Sequence, residues 1–81
     1  MYYVYILKSL KISSKSYVGL TNNLSKRLKQ HAQAGEENYT YRYAPWKLET
    51  YIAFSALIKA KEFESYLKTG SGRSFLRRHL A

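Results

Sequence analysis

Tyr17 to His31 is the stretch that most limits the folds open to this chain, because its period changes partway along. Tyr17 and Val18 suit a pleated, half-buried strand. Gly19 breaks that pattern, and Thr21, Asn22 and Asn23 are turn and cap residues. From Leu24 onward the spacing is helical: Leu24 and Leu28 lie four apart, as do Arg27 and His31. A strand, a tight turn and a helix follow one another closely. They carry a phenol at one end and a guanidinium and an imidazole at the other.

The flanking segments fit around that unit. Tyr2–Leu7 is a run of β-formers that reads as a strand buried on both faces, with Tyr3, Tyr5 and Leu7 on one side and Val4 and Ile6 on the other. The Ser- and Lys-rich segment 8–16 lacks an Asn-Gly pair, so a hairpin loop longer than two residues is expected. Residues 16–20 then return antiparallel, which brings Tyr17 near Tyr5. The first helix is expected from about Asn23 to Ala34, closed by Gly35. Residues 36–44, with Tyr39, Tyr41 and Tyr43 around Arg42, read as a loop that flanks the site and ends at Pro45. Trp46 to Ala53 reads as a third strand with Trp46, Leu48, Tyr51 and Phe54 as core contacts, and a phase break after Leu48 points to a bulge.

Ser55 is the expected N-cap of a second helix over 56–69, whose apolar stripe is Ala56, Ala60, Phe63 and Leu67. Glu64 borders that stripe and needs a partner, for which Lys61 and Lys68 are spaced. Gly70-Ser71-Gly72 is expected to end this helix. Ser74 then caps a short last one, with Phe75, Leu76 and Leu80 inward and Arg73, Arg77 and Arg78 outward. The expected fold class is α+β: one domain over residues 1–81, a small three-stranded antiparallel sheet flanked by helices.

Charge narrows the function. Fourteen Lys and Arg face five Asp and Glu, a formal net charge of +9 over 81 residues, with nine tyrosines among the cations. That balance points to a polyanionic partner, nucleic acid first and anionic lipid second. No apolar run approaches the ~20 residues of a membrane span, and no signal peptide is visible, so a cytoplasmic protein away from the membrane is expected. There is no cysteine, so disulfides and thiolate metal sites are excluded. His31 and His79 lack a zinc-site context, the Gly cluster follows a helix rather than a strand, and the absence of aspartate removes a Ser-His-Asp triad.

What remains is Tyr5, Tyr17, Arg27, His31 and Glu64. Singly, each has a structural reading: core tyrosines, a solvated helix arginine, a capping histidine, an ion-paired glutamate. Together and in order they resemble the GIY-YIG nucleases. Tyr3-Val4-Tyr5 stands where the first tripeptide of that motif stands, and Tyr17-Val18-Gly19 matches the second. Arg27 follows Tyr17 by ten residues, and Glu64 lies in a segment similar to the family's second-helix glutamate segment. Tyr3 replaces the first glycine, Val4 replaces the isoleucine, Leu20 stands where some members carry lysine, and a late asparagine has no counterpart.

The resemblance implies a metal-dependent endonuclease acting on DNA phosphodiester bonds, structure-selective in repair or recombination. The alternative is a catalytically weak nucleic-acid-binding module acting with a partner protein that supplies targeting; RNA in place of DNA stays open. Glu64 would hold Mg²⁺ or Mn²⁺. Arg27 would grip a phosphate oxygen. Tyr17 would be the general base, its ordinary pKa of ~10 lowered by Arg27 or the metal. Tyr5 would position water or phosphate, and His31 would orient a tyrosine or relay a proton. Gly19, Asn22, Lys68 and Arg73 would contact substrate.

Overall fold

The computed structural model describes residues 1–32 and 42–80. Three strands, β1 (Tyr2–Ser9), β2 (Ser16–Thr21) and β3 (Trp46–Phe54), form one antiparallel sheet in the order β2-β1-β3. Around it lie three helices, α1 (Leu24–Ala32), α2 (Leu57–Leu67) and α3 (Gly70–His79). The continuous apolar run of β1 takes the centre, where both faces are covered: Val4, Tyr5, Ile6 and Leu7 are buried.

The two faces of β1 differ in kind. Val4 and Ile6 point toward a core completed by Ala60 and Leu67 of α2 and Leu76 of α3, with Phe54, Phe63 and Phe75 packed against it. Tyr3, Tyr5 and Leu7 point the other way, toward α1. Their neighbours across the sheet are Thr21, Gly19 and Tyr17 on β2 and Ala53, Tyr51 and Leu48 on β3. Ile6 pairs with Thr50 while Leu7 pairs with Leu48, so Glu49 is an inserted residue and β3 bulges there. The bulge restores Leu48 and Tyr51 to the same face. Tyr51 nonetheless stays half exposed, edge-on to Tyr3 at 5.8 Å, so it is a surface residue and not the core contact expected.

The helix ends also depart from expectation. Ala56, not Ser55, is the N-cap residue of α2, and no side chain caps it. The segment Gly70-Ser71-Gly72 opens α3 and does not merely end α2. Thr69 caps that start by accepting from the Gly72 N–H at 3.1 Å, the role expected of Ser74. Glycine is needed at 72 because a Cβ there would overlap the Tyr66 carbonyl and press on Leu67 Cα at 2.6 Å. The bare backbone lets α3 begin directly against the last turn of α2. The expected Gly35 cap and Tyr39 and Tyr41 lie outside the described residues.

Gly72→Ala is expected to lower stability by about 1–3 kcal/mol through overpacking, read as a lower thermal midpoint by circular dichroism. A Cβ at Gly70 meets open space. Gly70→Ala is therefore expected to stay within about 0.5 kcal/mol of the wild type.

Candidate active site

The turn after β2 aims α1. Thr21 Oγ1 accepts from the Asn23 N–H at 3.1 Å, and Asn23 Oδ1 caps the helix by accepting from the Lys26 N–H at 3.1 Å. Helix phase is thereby fixed, and Arg27 and His31, one turn apart, face the sheet. Opposite them, Tyr5 projects from the middle of β1, fully buried.

Gly19 makes that placement of Tyr5 feasible. It sits across from Tyr5 in the sheet, and any Cβ there would collide with the phenol ring and its hydroxyl. The ring lies over the glycine, so Gly19 is buried and shapes the site from beneath. Tyr17, paired with Leu7, is the diagonal neighbour of Tyr5, with ring centroids 6.1 Å apart. His31 closes the group, edge-on to Tyr5 at 5.6 Å and to Tyr17 at 4.8 Å.

The polar atoms of this group are joined. Tyr5 Oη lies 2.7 Å from His31 Nε2 and accepts from Arg27 Nε at 3.2 Å. Arg27 also donates from Nη1 to Gln30 Oε1 at 3.0 Å, and its guanidinium reaches the Tyr17 hydroxyl. Electrostatics follow from burial and from the single cation. Burial pushes the Tyr5 hydroxyl above its ordinary range, partly offset by the Arg27 hydrogen bond. Burial, and then the nearby Arg27 charge, pulls His31 below its ordinary range. The Tyr5 hydroxyl bond, against some burial, holds Arg27 protonated. At neutral pH Tyr5 is a neutral phenol and His31 a neutral imidazole beside one fixed guanidinium.

Residues 1–77 match the GIY-YIG catalytic domain. The chain belongs to the GIY-YIG family. A UPF0213 protein of Clostridium perfringens is 41% identical over 68 residues, covering 84% of this chain and 71% of the relative. The structure-specific endonuclease subunit SLX1 homolog of Giardia intestinalis is 35% identical over 75 residues, 89% of this chain. The chain spans only 21% of that protein's length. The solution NMR structure of a UPF0213 protein from Bacillus halodurans matches with a TM-score of 0.57 at 28% identity, covering 96% of this chain and 84% of that one. The three-stranded sheet with its helices is thus a GIY-YIG nuclease fold.

Within this fold Tyr5, Tyr17, Arg27 and His31 come together on one sheet face. Glu64 comes from α2, on the other face. Its carboxylate, 23% exposed, pairs with Lys68 Nζ at 3.5 Å. Lys68 in turn lines the cleft that Tyr17 lines, together with Arg73. Asn22 borders a second concavity, with Arg27, Lys26 and Gln30. Gln30 was not singled out from sequence, although its spacing of three from Arg27 was the available signal. For a divalent cation the donor set is one hard carboxylate oxygen ligand. It fits Mg²⁺, which keeps several waters and shares phosphate ligands, and no cluster of three His, Cys, Asp or Glu exists among the described residues for a closed site. Among those residues no helix is long and apolar enough to cross a membrane.

The buried pair predicts a window of stability. His31 is harder to protonate folded than unfolded, so the unfolded state binds more protons as pH falls below ~6.5 and stability drops there. Tyr5 is harder to ionise folded, so stability also drops above pH ~10. Urea midpoints across pH are expected to show both shoulders, and Tyr5→Phe to remove the alkaline one. Gly19→Ala is expected to lower stability by about 1–3 kcal/mol by displacing the Tyr5 ring.

Proposed function

We propose that this chain is a divalent-metal-dependent endonuclease that hydrolyses DNA phosphodiester bonds, with branched or nicked DNA as its preferred form. The observation that carries this reading is the joined group Arg27–Tyr5–His31 with Tyr17 beside it, on a chain of net charge +9. Arg27 grips a non-bridging phosphate oxygen with the N–H groups that Tyr5 and Gln30 leave over. Tyr17, once its own hydroxyl proton has passed to the neutral His31 beside it, takes a proton from the attacking water on Oη. Tyr5 holds Arg27 and His31 in place, and neutral His31, 2.7 Å from Tyr5 Oη, is the proton acceptor behind the phenols. Glu64 is the residue that would hold Mg²⁺ or Mn²⁺. Such an ion supplies neutralisation of charge at the phosphate and leaving oxygen.

Two features support substrate contact beyond the scissile phosphate: Lys68 and Arg73 line the cleft beside Tyr17, and Asn22 borders the concavity beside Arg27. The Giardia relative is named as a subunit, which supports a protein partner that supplies targeting. A second reading, a nucleic-acid binder of weak activity, is favoured by the Lys68–Glu64 ion pair, which engages the carboxylate that catalysis needs.

Incubation with nicked, flapped and single-stranded DNA and with RNA, in Mg²⁺ or Mn²⁺, separates the two. Cleavage is expected on branched DNA, abolished by chelation and reduced at least ~10³-fold in Glu64→Ala, in keeping with several kcal/mol of charge stabilisation. Tyr17→Phe and Arg27→Ala are expected to lower kcat by ~10²-fold or more. Equal product from wild type and Glu64→Ala leaves the binder.

A further inference from the structure

The cleft beside Tyr17 has a second wall that no catalytic role explains. Its volume is about 480 Å³, and Tyr17 and Val18 of the edge strand form one side. Lys15 stands at one end, on the hairpin before β2, and Arg73 and Arg77 stand on α3. Leu67 and Leu76 form an apolar floor beneath these heads. Two segments distant in sequence therefore converge their cations on one opening.

Their placement runs against helix stability. Arg73 and Arg77 are spaced four apart, where like charges repel by a few tenths of a kcal/mol. Arg73 also lies at the close of the first turn of α3, whose N-terminal end disfavours a cation, and no acidic residue stands there. Among the described residues none of Lys15, Arg73 and Arg77 has an ion pair. Lys15 is held in place by the Tyr43 ring, 5.4 Å from its ammonium. Uncompensated cations on a preformed cleft are an anion site in waiting.

The second concavity, beside Arg27, lies at the other end of β2. Six residues at ~3.3 Å each separate the two ends by less than ~20 Å. We propose that the cleft framed by Lys15, Arg73 and Arg77 binds a backbone phosphate of the nucleic acid distinct from the scissile one, so that the strand runs along the β2 edge. The proposal rests on the nuclease reading for its scissile phosphate, and it adds Lys15 and Arg77 as substrate-positioning residues.

The test is binding without turnover. Fluorescence anisotropy of a labelled DNA duplex is measured against Glu64→Gln protein at several salt concentrations. Lys15→Gln and Arg77→Gln are each expected to weaken binding severalfold and to lower the slope of log K against log salt by about 1, and the pair by about 2. Lys47→Gln, on the opposite edge strand and also exposed to solvent, is expected to leave the slope unchanged. In active protein the pair is expected to raise KM and spare kcat, with an unaltered thermal midpoint. An unchanged slope in the double variant overturns the proposal, as does an equal loss in Lys47→Gln, which means bulk charge alone. Loss of binding to phosphatidylserine vesicles with DNA binding intact also overturns it. A wild type that cuts nothing refutes the nuclease reading, whereas a slope that falls as stated upholds this site regardless.

Discussion

A buried phenol with its hydroxyl met is the constraint on which the active face depends. Tyr5 is fully buried at the centre of β1, and its ring fits only because Gly19 has no side chain. A hydroxyl buried without a partner costs about 1–3 kcal/mol, so the fold must bring partners to it. It brings two, His31 and Arg27, from successive turns of α1. The only buried residue of that helix is His31. Two side chains of helix α1 therefore meet one buried tyrosine, and the same contact assembles the site.

The opposite face works by another principle. There α2 and α3 dock through Ala60, Leu67 and Leu76 against Val4 and Ile6, an apolar contact. Close approach of α3 to α2 at Gly72 makes this half a stiff base. Rigid support on one side lets the other carry a network whose groups must be held within fractions of an ångström. Burial keeps Tyr5 and His31 neutral, so of these three joined groups Arg27 alone carries charge.

How much of this was legible follows from the range of the interactions. The alternation of β1 and the strand–turn–helix from Tyr17 to His31 are local patterns: they set Tyr17 near Tyr5 and Arg27 one turn from His31, and it was the family resemblance that joined the two pairs. The bulge at Glu49 was also local, visible as the lost phase between Leu48 and Tyr51. The exposure of Tyr51 was not, because it depends on what covers the sheet near β3. Capping of α3 by Thr69 was hidden by its glycines, which read as a stop signal while their real constraint is close contact with Tyr66. The bond between Arg27 and Tyr5, with Tyr17 beside them, could not be read at all. Spacing puts an arginine over two phenols, and only geometry shows which oxygen its Nε meets.

The site lies along β2, an edge strand, and edge strands normally invite pairing with another chain. β2 is short, and the concavities at its two ends are rimmed by Lys15, Lys68, Arg73, Lys26 and Arg27. A second copy approaching this edge meets like charge, while a polyanion is drawn to it. The cations that protect the unpaired backbone thus also select what reaches it. That double use fits the proposed nuclease, whose reactive groups gather beside an edge strand: a nucleic-acid backbone is too long to be enclosed, and an edge guarded by charge lets it pass alongside.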